Sequence, residues 1–143
     1  MNAFADGLFD ASPERPWIVC EHGNRWIEAV RCFCTEQLAD SVTPVVRAAD
    51  DDEVVALAGR QLRQGQPHIV VVWEITPDSF AESTRFMMAL TRSLPQVVQI
   101  AACSQLATCH EATLSEFGAM LRVRQPEDLQ KMARVINLRL GAS

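Results

Sequence analysis

His68-Ile69-Val70-Val71-Val72-Trp73-Glu74-Ile75 is the most strongly strand-forming stretch of the chain. Its apolar residues are continuous instead of alternating with polar ones. A strand with one wet face alternates, so a continuous run marks a strand covered by helices on both faces. A second such run, Val97-Val98-Gln99-Ile100-Ala101-Ala102-Cys103, follows Pro95. Shorter candidates are Trp17-Ile18-Val19-Cys20, Pro44-Val45-Val46 and Ala119 to Val123.

Between these runs the apolar spacing changes to three and four, the helical period. Trp26, Ile27, Val30, Cys34 and Leu38 recur in this way after Asn24, a residue suited to N-capping. Asp50-Asp51-Asp52-Glu53 opens the next helix, which carries Val54, Val55, Ala58 and Leu62 and is closed by Gly65. These four acids read as helix-start chemistry, because consecutive helical residues do not all face one ion. Pro77-Asp78-Ser79 turns into a helix with Phe80, Thr84, Met87 and Thr91 on one side. Ser104 is expected to cap a helix bearing Leu106, Cys109, Thr113 or Leu114, and Phe117, ended by Gly118. Pro126-Glu127-Asp128 opens a last helix with Leu129, Met132, Ala133, Ile136 and Leu140. Five strands alternating with five helices predict an α/β fold, a three-layer α-β-α sandwich around a five-stranded parallel sheet with right-handed crossovers. Residues 16–140 form one domain, and residues 1–15 read as a flexible N-terminal arm.

The 143 residues, 48% hydrophobic and 22% charged, have ordinary globular composition. The run Ile69 to Trp73 is far shorter than the ~20 apolar residues that span a bilayer, so no membrane partner is expected. The first residues lack a basic region and carry Asp6, Asp10 and Glu14, unlike a secretory signal, which implies a cytoplasmic protein. Thirteen basic residues against 18 acidic ones give a net charge of −5, which argues against nucleic acid as a partner. Lys131 is the sole lysine. Cys20, Cys32, Cys34, Cys103 and Cys109 do not match the paired spacing of a zinc site and read mostly as small buried hydrophobes; no metal and no cofactor are expected.

In an open parallel sheet, ligands bind outside the carboxyl ends of the strands. Glu21, His22 and Gly23 fall there after the first strand, Glu74 and Thr76 after the third, Cys103 and Ser104 after the fourth, and Arg122 to Arg124 after the fifth. No G-x-G-x-x-G, no P-loop and no G-x-S-x-G elbow occurs, so dinucleotide, P-loop and esterase chemistry drop out. His22 and Cys103 could suggest a base and a nucleophile, but they read instead as an exposed loop histidine and a half-buried thiol. His68 and His110 read as strand-edge and helix-surface residues.

The order and length of the elements across residues 16–140 resemble the receiver domain of two-component response regulators, which is flavodoxin-like in fold. Three stretches carry the resemblance: Ile18-Val19-Cys20-Glu21, Gln66-Pro67-His68-Ile69-Val70-Val71-Val72, and Phe117-Gly118-Ala119-Met120-Leu121 followed by Pro126-Glu127-Asp128-Leu129. The family autocatalyses phosphoryl transfer onto an aspartate ending the third strand, with an acidic pair for Mg²⁺, a hydroxyl after the fourth strand and a lysine after the fifth. Here the acceptor position falls on Trp73 when counted from Pro67, or on Glu74 when matched to the family's Asp-Ile pair. The acidic pair is reduced to Glu21, the hydroxyl position falls on Ala102 or Cys103 with Ser104 close by, and Arg122 takes part of the lysine's place.

Losing the aspartate, the lysine and one acid should abolish phosphoryl transfer, which depends on positioning and charge neutralisation. Glu74 then holds a constant negative charge, paired with Arg122, or is a solvated strand-end carboxylate. The resemblance implies a non-catalytic, pseudo-receiver-like signalling module that binds a protein partner and forms a possible homodimer. It would act through its sheet edge or through its last helices, with Arg122, Arg124 and Arg139 as the polar part of that face. The alternative is a small-molecule sensor or enzyme of the same fold, with Glu21, Glu74 and Cys103 in the pocket.

Overall fold

The computed structural model describes residues 16–37, 44–65 and 69–141. The expected arm at 1–15, Leu38 and His68 lie outside them. Five strands, β1 (Trp17–Cys20), β2 (Val45–Ala48), β3 (Ile69–Glu74), β4 (Val97–Ala102) and β5 (Ala119–Val123), form one sheet in the order β2-β1-β3-β4-β5. Every neighbouring pair is parallel. The expected α/β sandwich with a parallel sheet is therefore what the chain forms.

The continuous apolar strands are the central ones. All of β1 and β4 and all but Glu74 of β3 are buried, whereas β2 and β5 at the edges are partly exposed. Side chains alternate across the sheet. Trp17, Val19, Val70, Val72 and Ile100 face one layer, and Ile18, Val71, Trp73 and Ala101 face the other. The first layer is built by α1 (Arg25–Gln37), α5 (Glu127–Lys131) and α6 (Ala133–Gly141), with Trp26, Ile27, Val30, Phe33, Leu129, Ile136 and Leu140 buried against the strands. The second is built by α2 (Asp51–Arg63), α3 (Phe80–Ser93), α4 (Thr108–Thr113) and a 3₁₀ turn, Leu114–Phe117.

Helix α2 starts as the acidic run predicts. Asp50 Oδ1 accepts from the Glu53 N–H at 2.9 Å, and Glu53 Oε1 accepts from the Ala49 N–H at 2.7 Å, a near-reciprocal cap. It ends at Gly65, whose φ of 91° admits the left-handed conformation that closes a helix.

Three expectations about helices need correction. Asn24 holds the N-cap place of α1, its carbonyl accepting from Glu28 N–H at 3.1 Å, but its side chain bonds to Arg47 instead of the helix. The capping oxygens come from Glu21. Ser104 does not start α4, which begins at Thr108. Its carbonyl and that of Leu106 accept from the Arg124 guanidinium at 3.3 and 3.4 Å, which ties this segment down as a turn. The last helix is divided at Met132, whose N–H is shared between the carbonyls of Asp128 and Leu129 at 3.0 and 3.2 Å. Ile136 then resumes the ladder by bonding to Met132 O at 3.0 Å.

Gly118 joins the 3₁₀ turn to β5 with a φ of 117°. A Cβ there would run into the Thr91 hydroxyl and lie 3.0 Å from Gln99 Nε2. Gly118→Ala combines backbone strain with a steric clash in a packed site, and should lower unfolding free energy by about 2 kcal/mol in a urea titration.

Candidate functional site

The strand order reverses between β1 and β3, and the crevice at that switch is a favoured ligand position in open α/β sheets. A cleft of about 310 Å³ lies there, lined by Cys20 and Glu21 from the end of β1, Asp50 to Asp52 at the start of α2, Glu74 from β3, and Thr76 and Glu82 around the start of α3. His22, exposed as expected, also lines it. Thr76 and Ser79 hold the β3–α3 turn through paired bonds, Thr76 N–H to Ser79 Oγ at 2.9 Å and Ser79 N–H to Thr76 Oγ1 at 3.2 Å. The cleft is strongly acidic.

Glu21 is 4% exposed, and each of its carboxylate oxygens accepts a backbone hydrogen bond. Its Oε2 accepts from the Trp26 N–H at 3.0 Å and its Oε1 from the Ile27 N–H at 2.6 Å. These are two of the orphan donors in the first turn of α1, where the helix dipole also favours a carboxylate. Arg47 from β2 fixes the intervening loop by donating to the carbonyls of Glu21, at 3.4 Å, and Gly23, and to the Asn24 side chain. The magnesium ion implied by the resemblance does not fit these residues. Both Glu21 oxygens are committed to backbone donors, and Trp73 offers no oxygen ligand. Among the described residues, no three His, Cys, Asp or Glu side chains are grouped to hold a metal ion.

Trp73 is 1% exposed and lies in the α2–α3 layer. Its indole N–H donates to Gln99 Oε1 at 2.8 Å, and Gln99 Nε2 donates to the Met87 carbonyl at 3.1 Å and the Thr91 hydroxyl at 3.0 Å. All polar atoms of the Gln99 amide are thereby paired. Sequence reasoning missed Gln99. The available signal was a single amide inside an otherwise apolar strand, which must find partners if buried. Glu74 is half-buried at the cleft and makes no hydrogen bond or ion pair among the described residues.

The other candidates lie elsewhere. Cys103 is fully buried, not half-buried, and its thiol donates to the Val123 carbonyl at 3.6 Å. Burial and then the Glu111 charge push this thiol up to about 11. Burial followed by the Asp51 carboxylate pushes Cys20 up to about 12, its S–H lying 3.7 Å from Asp51 Oδ1. Asp51 is itself raised by burial and by Glu82. Neither thiol forms a useful nucleophile near neutral pH. The Ser104 hydroxyl accepts from Arg25 Nη1 at 3.3 Å. Arg122 bonds to the Glu111 carbonyl at 3.2 Å and makes no ion pair with Glu74, because β4 lies between β3 and β5. Arg124 is drawn in by an ion pair with Glu111, so it is not a free part of an interaction face. The structure thus brings Glu21 and Glu74 to one cleft, while Trp73, Cys103, Ser104 and Arg122 do not line it.

No protein-family model matches the chain, and no curated protein matches it. Solved structures do. The CheY-like protein TadZ from Pseudomonas aeruginosa PAO1 is similar at 15% identity with a TM-score of 0.62, over 86% of this chain and 93% of that one. The beryllofluoride-activated receiver domain of NtrC4, solved as a dimer, is similar at 12% identity with a TM-score of 0.59, over 84% of this chain and 93% of that one. NtrX from Brucella abortus, solved with ADP, is similar at 16% identity with a TM-score of 0.57; it covers 90% of this chain, which spans only 26% of NtrX. With the strand order 2-1-3-4-5, these likenesses show a CheY-like receiver fold.

Proposed function

We propose that this chain is a non-catalytic signalling module of receiver fold, which takes up no phosphoryl group at β3 and acts by docking to a protein partner. Buried Trp73 carries this reading. Counted from Pro67 it takes the place of the phosphoacceptor aspartate, and an indole held by Gln99 can neither accept phosphate nor ligate magnesium. On the alternative match Glu74 takes that place, and its carboxylate supplies a standing negative charge beside the acidic cleft. The sole lysine, Lys131, belongs to α5 and cannot serve at the end of β5. Phosphoryl transfer is a matter of positioning and charge neutralisation, and both are lacking. Incubation with acetyl phosphate and Mg²⁺ should leave the intact mass unchanged; a stoichiometric, hydroxylamine-sensitive phosphate adduct would overturn the reading.

We place the module in the cytoplasm; among the described residues no helix is long and apolar enough to cross a membrane. The dimeric NtrC4 receiver supports a homodimer as one state. The cleft itself favours a second reading, a sensor of a small cationic ligand. A ligand screen in which a cationic metabolite raises the melting temperature by several degrees would select that reading.

A further inference from the structure

The exposed large hydrophobic side chains of the described surface are Val135, 48% exposed, and Leu138, 64% exposed, both on α6. They stand three residues apart, so they are neighbours on the helix. Arg134 stands one turn before Leu138 on α6, Lys131 at the end of α5 lines the same groove as these two, and Ile136 and Leu140 on the other face are buried. A groove of about 590 Å³ runs beside them, lined by Lys131, Arg134, Asn137 and Leu138 among others. Helix α6 contains no acidic residue. Arg134 and Arg139 have no hydrogen-bond or ion-pair partner among the described residues, and Lys131 meets Asp128 only at 3.9 Å.

We propose that this 131–138 face receives an acidic amphipathic helix of a partner protein, an assignment that rests on the docking role proposed above. Apolar side chains of the partner at i, i+3 and i+4 seat on Val135 and Leu138, and flanking Asp or Glu residues meet Lys131, Arg134 and Arg139. Charge complementarity selects the occupant. The chain carries a net charge of −5, so an acidic partner is repelled by the surface at large and attracted to this cationic strip, which fixes where it lands. A second copy docked through the same face would oppose the cations of two α6 helices with no carboxylate on either one.

The test uses the full chain and two synthetic helical peptides with Leu at i, i+3, i+4 and i+7, one with Glu and one with Lys at its remaining exposed positions. The Glu peptide is expected to shift amide resonances of residues 131–140 and to bind at least about tenfold more tightly than the Lys peptide. Arg134→Glu, at an exposed site that leaves the fold intact, should weaken the Glu peptide by about tenfold and improve the Lys peptide. Equal binding of the two peptides, or no shifts on α6, overturns the proposal. So does self-association abolished by Leu138→Glu, which assigns the face to a second copy, or Leu138-dependent binding to phosphatidylglycerol vesicles, which assigns it to a lipid surface. A phosphate adduct would overturn the functional reading without altering the peptide result, and the failure of both peptides would leave the mass measurement standing.

Discussion

Glu21→Ala is expected to lower unfolding free energy by about 3 kcal/mol, because it leaves two N–H groups in the first turn of α1 without an acceptor in a buried setting. Each stranded donor costs about 1–3 kcal/mol, and the loss of a carboxylate beside the positive end of the helix dipole adds to it. Water from the adjoining cleft relieves part of that cost. Glu21→Gln keeps one acceptor oxygen but turns an amide N–H₂ toward the other backbone donor, so about half the loss should remain. Urea midpoints at constant slope read both values. The same series separates a cap from a metal ligand. If Glu21 only caps, millimolar Mg²⁺ shifts the midpoint of neither wild type nor Glu21→Gln. A Mg²⁺-dependent stabilisation of wild type, lost in the Gln variant, would contradict the engaged geometry.

The difference between Glu21 and Asp50 explains much of what the sequence could and could not reveal. Asp50 caps the N–H three residues on, a local pattern that is visible as a run of acids before an apolar period. Glu21 reaches across a loop to residues five and six positions away, and nothing in the local pattern marks that reach. The buried strands were legible for a similar reason. A parallel sheet covered on both sides needs continuous apolar runs, and β1, β3 and β4 have them. Contacts between distant segments were not legible. Arg25 meets Ser104, and Arg124 meets the carbonyls of Ser104 and Leu106, only once the carboxyl ends of the strands are gathered at one edge. Gln99 was hidden by its apolar neighbours, and its partners Trp73 and Thr91 lie on other elements. Glu74 and Arg122 do not pair because β4 separates their strands, an order that the sequence implies only through the fold.

Placing an aspartate at position 73 of β3 is not expected to create a working phosphoacceptor. Trp73→Asp deletes a large side chain from a packed layer, a change that costs about 3–5 kcal/mol through lost burial and cavity formation. It also leaves Gln99 Oε1 without its donor and places a carboxylate among Ile18, Val71 and Met87. Against a total stability of about 5–15 kcal/mol, the variant is expected to be largely unfolded at room temperature. Two milder changes keep the argument testable. Trp73→Phe removes only the indole N–H and part of the volume, and should cost about 1–2 kcal/mol. Adding Gln99→Leu to it removes the stranded amide as well, so the double variant should be less destabilised than the sum of the two single changes. If strict additivity were found, the Trp73–Gln99 bond would not be what holds this position. If Trp73→Asp instead folded and took up phosphate from acetyl phosphate with Mg²⁺, a single side chain would separate this protein from a phosphate-accepting receiver. Glu21, with both oxygens on the α1 backbone, argues against that outcome, since an acceptor aspartate without a metal-binding neighbour lacks the charge neutralisation that the transfer requires.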